Sequence, residues 1–420
     1  MSRVSIIGAS NTKFGAFVER NRETGAVKDL KSYYDLLIEA GRGAIQDAGI
    51  EAKEIDAVYV GTCSPSLFVD QGHTAPIAVG IDDALRFKPM TRTEGACASS
   101  SLAVYEGVYA IEAGRCRNVL VIGVEKMSLL DTKGVTHALA CCSYYPEEGA
   151  RGMTFPGLYA ELAKAYQAQY NISESDFRRM LATVSALGYR NGAENPLAHF
   201  GPDSSIVRQK LFTADAILNL PAEGKGANLM IAPPLRIHDC SLISDGAAAL
   251  VLTQTDVARS LRRPFVEIAG IGHSVEHLPL SKRPNLHKLD STRDARDKAF
   301  REAGITVGQV DIAEVHDCFT INQLLCTEAL GLSEDGHAGH DYLAGRFTCE
   351  DRCSVNLSGG LKAKGHPVGA TGASMHAMLY KQLIGQPIGV SRTRQPEIGV
   401  TVNVGGSGVT NCVTVLRRQG

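Results

Sequence analysis

Short apolar runs of strand length alternate with amphipathic stretches along the chain. The runs read VSIIGAS (4–10), NVLVIGVEK (118–126), SDGAAALVL (244–252), FVEIAGIG (265–272) and IGVTVNVGGSG (398–408). Between them, helical periodicity predicts a helix over 33–47. Two further helices enter from stretches of small residues, GACASSSLAVYEGVYAIEAG (95–114) and GHPVGATGASMHAMLYKQLIG (365–385). Strands alternating with helices predict layered α/β architecture.

The pattern repeats. Residues 44–63 (AIQDAGIEAKEIDAVYVGTC) align without gaps with 299–318 (AFREAGITVGQVDIAEVHDC) at an offset of 255, and seven of twenty positions are identical: Ala44, Ala48, Gly49, Ile50, Asp56, Val60 and Cys63. Each copy ends a helix at Ala-Gly-Ile, with the glycine suited to a left-handed cap, and then starts a β-rich run. The chain therefore reads as two related halves. After VIGVEKMS the pattern becomes irregular, through a polar turn at DTKGV, until SDGAAALVL restores it. Residues 126–235 read as an inserted loop domain, with 1–125 and 236–262 as the first half and 263–420 as the second. Removing the insertion leaves two halves of nearly equal length, each about 150 residues.

Composition narrows the function classes. The chain has 420 residues, 44% hydrophobic and 21% charged, enough for a substantial core. Lys and Arg total 43 against 45 Asp and Glu, so no global positive field draws nucleic acid or an anionic membrane. No apolar stretch reaches membrane-helix length, and eleven cysteines in a chain this large predict a reducing cytoplasm rather than a disulfide framework. Cys349 and Cys353 are spaced one residue too widely for the usual zinc knuckle, and no metal site is assigned.

Cys97 precedes a helix among small neighbours, where a ligand can approach its sulfur and the helix N-terminus favours thiolate. His366 lies in NLSGGLKAKGHPVGATG (356–372), where five of seventeen residues are glycine and the histidine is the one good proton carrier near neutral pH. His316-Asp317-Cys318-Phe319 closes the second repeat, where the first has Gly61-Thr62-Cys63. Strand ends in α/β layers are where ligands bind. His238-Asp239-Cys240 repeats three of those letters without a counterpart in the duplication and reads as structural.

Together, ACASS around Cys97, SDGAAALVL, HDCF at 316–319 and NLSGGLKAKGHPVGATG resemble the thiolase superfamily over nearly the whole chain. HDCF resembles the sterol-carrier-protein-2-type and archaeal-type thiolases. The resemblance implies a five-layer α/β/α/β/α fold and reversible Claisen chemistry on coenzyme A thioesters, with CoA as co-substrate. It implies Cys97 as nucleophile, His366 as base, Cys318 as the acid/base at the α-carbon, and oxyanion donors from the N–H groups of Cys97 and Gly405 and from His316 and His366. Ser241 is implied in CoA binding, and Met153, Phe155 and Tyr159 are candidates for the acyl pocket or for core packing. Where many thiolases carry a second cysteine in a Cys-x-Gly-Gly-Gly turn, this chain has Asn403. Homodimers or homotetramers are expected, with a small OB-fold zinc-ribbon subunit as a further partner. The rival readings are a ketosynthase, a thiolase-fold retro-aldolase and a non-catalytic acyl-CoA-binding scaffold. A benzoylsuccinyl-type aromatic thioester is a minority substrate expectation.

Overall fold

The computed structural model describes residues 3–21 and 23–419. Its main sheet has ten strands. In spatial order they are Ser354–Val355, Ile312–Val315, Ile398–Gly405, Thr410–Gln419, Phe265–Val275, Val4–Asn11, Gly246–Gln254, Asn118–Glu125, Ala57–Gly61 and Met90–Thr93. The outer three strands on each side run parallel, and the pairings further in are antiparallel. The order is thus the same five-strand pattern read outward from the middle in both directions. The halves join where Val4 pairs with Ile268 and Ile6 with Val266.

The residues shared by the repeat hold the strands in place. Gly49 and Gly304 end their helices, Tyr33–Ala48 and Asp290–Ala303, at φ of 63° and 65°. Each helix lies against a glycine of the half's first strand: a Cβ on Gly8 would sit 2.4 Å from Ala48 N, and one on Gly270 would sit 2.2 Å from Ala299 O. The alanines of the repeat and these glycines are therefore one close helix–strand contact, made twice. Asp56 accepts the backbone N–H groups of Arg117 and Asn118, and Asp311 accepts those of Glu397 and Ile398. In both halves one carboxylate thus fixes where the neighbouring parallel strand begins.

The Ser99–Glu112 and Thr371–Leu383 helices, buried along most of their length, pack on each other between the halves, and the latter touches strands of both. Their composition of small residues permits that approach. They form the middle layer, the half-sheets flank it, and Tyr33–Ala48 and Asp290–Ala303 cover the outside.

The chain between Glu125 and Gly246, which contains the expected inserted loop domain, packs against the second half. Its two long helices, Phe155–Gln169 and Glu174–Ala193, bury Leu158, Leu162, Tyr166, Phe177 and Leu181 in the same hydrophobic core as Ile321, Leu324 and Leu330 of the second half. The polar turn expected at DTKGV is instead a helix start: the Asp131 carboxylate accepts Gly134 N–H at 2.7 Å and caps Thr132–Ala140. Asp245 ties down the returning strand. Its carboxylate accepts from the N–H groups of Phe17, Met127 and Ser128, from the Ser128 hydroxyl and from buried Lys126.

Candidate active site

Cys97 sits in a short turn, Ala96–Ala98, at the start of the Ser99–Glu112 helix. Ala96 takes φ of 52°, a left-handed conformation that costs a non-glycine residue about 1–3 kcal/mol. The strain sits one residue before the nucleophile candidate. The sulfur accepts N–H groups from Gly406 and from Cys97 itself. Burial nevertheless dominates, reinforced by the nearby Cys142 thiol, and pushes the thiol up from its ordinary range. Removal of the sulfur from water thus works against the helix N-terminus and the two N–H donors, which favour thiolate.

His366 stands on a loop gripped by buried carboxylates. Asp317 accepts Leu361 and Lys362 N–H, Glu314 accepts Ser358 N–H and its hydroxyl, and Glu125 of the first half accepts Gly369 and Cys63 N–H. Close approach forces the glycines here, since a Cβ on Gly360 would lie 2.2 Å from Asp317 Oδ2. The Thr371 hydroxyl donates to Pro367 carbonyl at 3.1 Å, so its oxygen accepts from His366 Nδ1 at 2.7 Å. That leaves Nε2 of His366 as a lone pair. Burial, and then the charge of Lys364, hold this imidazole down to about 3, so it is neutral and able to accept a proton.

His316 is fully buried, its ring 5.1 Å from that of His366 at an interplanar angle of 84°. The Cys97 sulfur and one nitrogen from each imidazole lie within 4.8 Å of one another. These donor types can also bind zinc.

Cys97 and His366 border a cavity of about 380 Å³, lined also by Cys318, Ser241, Phe155 and Tyr159 among others. His316 lies behind its wall. The Tyr159 hydroxyl donates to Gly406 carbonyl at 3.1 Å, its ring stacks on Phe319 at 4.5 Å, and it also hydrogen-bonds Cys318. Ser241 N–H donates to Cys318 carbonyl at 2.8 Å.

The other residues singled out in the sequence are placed around this cavity. Met153 packs half-buried on the second half's core rather than lining the cavity. Gly406 N–H donates to the Cys97 sulfur, and at the neighbouring Gly405, expected as an oxyanion donor, glycine is required because a Cβ there would lie 2.1 Å from Gly95 O. His238-Asp239-Cys240 is structural as expected, but it does so next to the site. His238 Nδ1 meets Tyr189 hydroxyl at 2.7 Å, Asp239 pairs with Arg178 at 2.7 Å, and Cys240 bridges Phe319. Sequence reasoning missed one whole wall, Thr132, Val135, Thr136 and Leu139, although their spacing is that of one helix face. It also missed Cys63 and Cys142, whose sulfurs lie 3.4 Å apart on the cavity's rim.

Family comparison agrees with this arrangement. The model of the thiolase N-terminal domain matches residues 4–218, and that of the thiolase C-terminal domain-like family matches 272–418. The chain belongs to the thiolase family. It is 38% identical to an acetyl-CoA acetyltransferase of Methanothermobacter thermautotrophicus over 100% of both chains. It is 28% identical to a benzoylsuccinyl-CoA thiolase subunit, BbsB, of Thauera aromatica, over 96% of this chain and 95% of that one. Among solved structures, the Ltp2-ChsH2(DUF35) aldolase matches with a TM-score of 0.78 at 20% identity, covering 99% of this chain and 97% of that one, which shows the shared fold. In this thiolase-type acyltransferase two cysteines and one imidazole border an apolar chamber, with a second imidazole behind its wall. Among the described residues no helix is long and apolar enough to cross a membrane.

Proposed function

We propose that this thiolase catalyses reversible Claisen cleavage and condensation of a β-ketoacyl-CoA through an acyl-enzyme on Cys97. The observation that carries the reading is the convergence of Cys97, His366 and Cys318 on one cavity from separate loops of the two halves. In cleavage, His366 Nε2 takes the Cys97 proton as sulfur attacks the β-keto carbon. The N–H groups of Cys97 and Gly406 face the resulting oxyanion; one such donor is worth about 3–4 kcal/mol. The carbon–carbon bond then breaks, the acyl group stays on sulfur, and the departing enolate thioester takes a proton from Cys318 at its α-carbon. His316 and His366 border its oxygen. Coenzyme A thiol then gives its proton to Cys318 and attacks the acyl carbon, and the leaving Cys97 sulfur takes its proton back from His366.

CoA enters past Ser241 and the apolar hairpin containing Ile231, which border the cavity mouth. The lining holds no Lys, Arg, Asp or Glu. That favours an uncharged acyl chain over one with a free carboxylate such as benzoylsuccinyl. Phe155, Tyr159, Val135 and Leu139 suit a chain longer than acetyl. A homo-oligomer and a small OB-fold zinc-ribbon subunit belong to the same proposal, the latter supported by likeness to the Ltp2-ChsH2(DUF35) aldolase.

The test is intact mass after mixing the protein with acetyl-CoA, straight-chain acyl-CoAs and benzoyl-CoA. An adduct of the acyl mass, absent from Cys97→Ala, is expected, together with loss of thiolysis of acetoacetyl-CoA. No adduct with any thioester would end the acyl-enzyme reading and leave an aldolase or an acyl-CoA-binding subunit.

A further inference from the structure

We propose that Asn403 is a positioning residue that locks His316 in the tautomer with its proton on Nε2, so that the second half presents a neutral N–H donor beside Cys97. The inference rests on the thiolase reading above. The asparagine stands where the resemblance leads one to expect a proton-shuttling cysteine, and its amide cannot shuttle a proton at neutral pH.

The contacts of the amide settle its orientation. Asn403 is fully buried, with Nδ2 3.1 Å from the Cys97 carbonyl oxygen and 3.1 Å from His316 Nδ1. The Ser101 hydroxyl donates to its Oδ1 at 2.8 Å. A backbone carbonyl only accepts, so the NH₂ group must face Cys97, and a flipped amide would set oxygen against oxygen. One Nδ2 hydrogen goes to that carbonyl and the other to His316 Nδ1, which therefore accepts. Gly372 leaves the space this amide occupies, since a Cβ there would lie 2.6 Å from its Oδ1.

His316 is held neutral by burial and then by the neighbouring His366. A neutral imidazole whose Nδ1 accepts carries its single proton on Nε2. That Nε2 is buried and has no hydrogen-bond partner among the described residues. A buried donor without a partner is unfavourable in the resting protein and becomes useful when a negative oxygen arrives. The two imidazoles thus hold opposite tautomers: His366 offers a lone pair, His316 a proton. A cysteine at 403 has one weak donor and could not hold both the Cys97 carbonyl and His316 Nδ1.

The test is ¹⁵N NMR of the full chain labelled in histidine, with His316→Gln used to assign the His316 signals. The expected spectrum shows Nε2 protonated and Nδ1 bare at neutral pH. In Asn403→Asp, the carboxylate can only accept, so the proton moves to Nδ1 or the ring becomes imidazolium. The same variant should lose about 10²–10³-fold in kcat for acetoacetyl-CoA thiolysis, with KM nearly unchanged. Asn403→Ala should mix the tautomers and lose kcat in proportion. Wild-type protein with Nδ1–H or an imidazolium at His316 overturns the proposal, and that spectrum needs no variant to fold. So does a variant that keeps the Nε2–H signature while losing kcat, or keeps kcat while losing the signature. Because the tautomer is read in the resting enzyme, its failure stays separate from a missing acyl adduct.

Discussion

The two halves share a scaffold and differ at one strand end. Ala57–Gly61 runs on into Gly61-Thr62-Cys63, and Ile312–Val315 runs on into His316-Asp317-Cys318. In the first half the small residue is needed. A Cβ on Gly61 would lie 2.4 Å from Ser100 Cα, so glycine lets the Cys97 helix seat against the strand. In the second half the equivalent position carries an imidazole, and the next residue grips the His366 loop through Leu361 and Lys362 N–H. Thr62, in that place in the first half, instead donates to Glu125 at 3.2 Å. Duplication supplied two equal frames; one was cleared to admit the nucleophile and the other was loaded with the proton-handling groups.

The comparison is most severely tested at the one cysteine both halves keep. Cys318→Ala should lower kcat for thiolysis about 10²–10⁴-fold, the range for loss of an acid/base group. Cys63→Ala should fall well short of that loss in the same assay, and equal losses would mean that the halves have not divided their roles. The scaffold should respond symmetrically. Asp56→Ala and Asp311→Ala each leave two backbone N–H groups without an acceptor, and each should cost about 1–3 kcal/mol in urea denaturation. Markedly unequal costs would break the claim that the two carboxylates do the same work.

The smallest effect concerns Glu125, which joins the Cys63 turn of one half to the His366 loop of the other. Burial pushes its carboxyl up to about 7, against the hydrogen bonds from Cys63, Thr62 and Gly369. A carboxyl raised in the folded state keeps its proton there while the unfolded chain has already released it. Its contribution is therefore complete below the unfolded value of 4.5 and is lost as pH rises towards about 7. Stability should decline across that window by up to about 1.4 kcal/mol per pH unit for one such group. Glu125→Gln should flatten the decline by that amount in denaturation curves taken from pH 4.5 to 7.5. Asp317, also raised to about 7 by burial, contributes in the same direction and remains in the variant. An unchanged slope would remove Glu125 as the titrating link.

Much of this was legible in one dimension. The seven identities of the repeat were enough to show a duplication, because each meets a local demand: a left-handed cap at Gly49, a close helix contact at Ala44 and Ala48, a strand start at Asp56. Cys97, His366 and HDCF stood out because their neighbours were small or glycine. The Thr132–Ala140 wall was misread because short polar residues in DTKGV read as a turn until Asp131 is seen capping a helix. For Met153 the pocket and core-packing readings could not be separated in sequence; it lies before the helix that begins at Phe155 and packs on the core.

Sequence alone determined the layered α/β frame, its doubling, and which side chains could carry nucleophilic and proton chemistry, since propensity, caps and close contacts act over a few neighbouring residues. Tertiary structure decided the rest. It brought Gly406 N–H to the Cys97 sulfur, buried that thiol, and set Asn403 between Cys97 and His316. Those outcomes depend on burial and on directions fixed to within an ångström by residues some 300 positions apart, which no local pattern records.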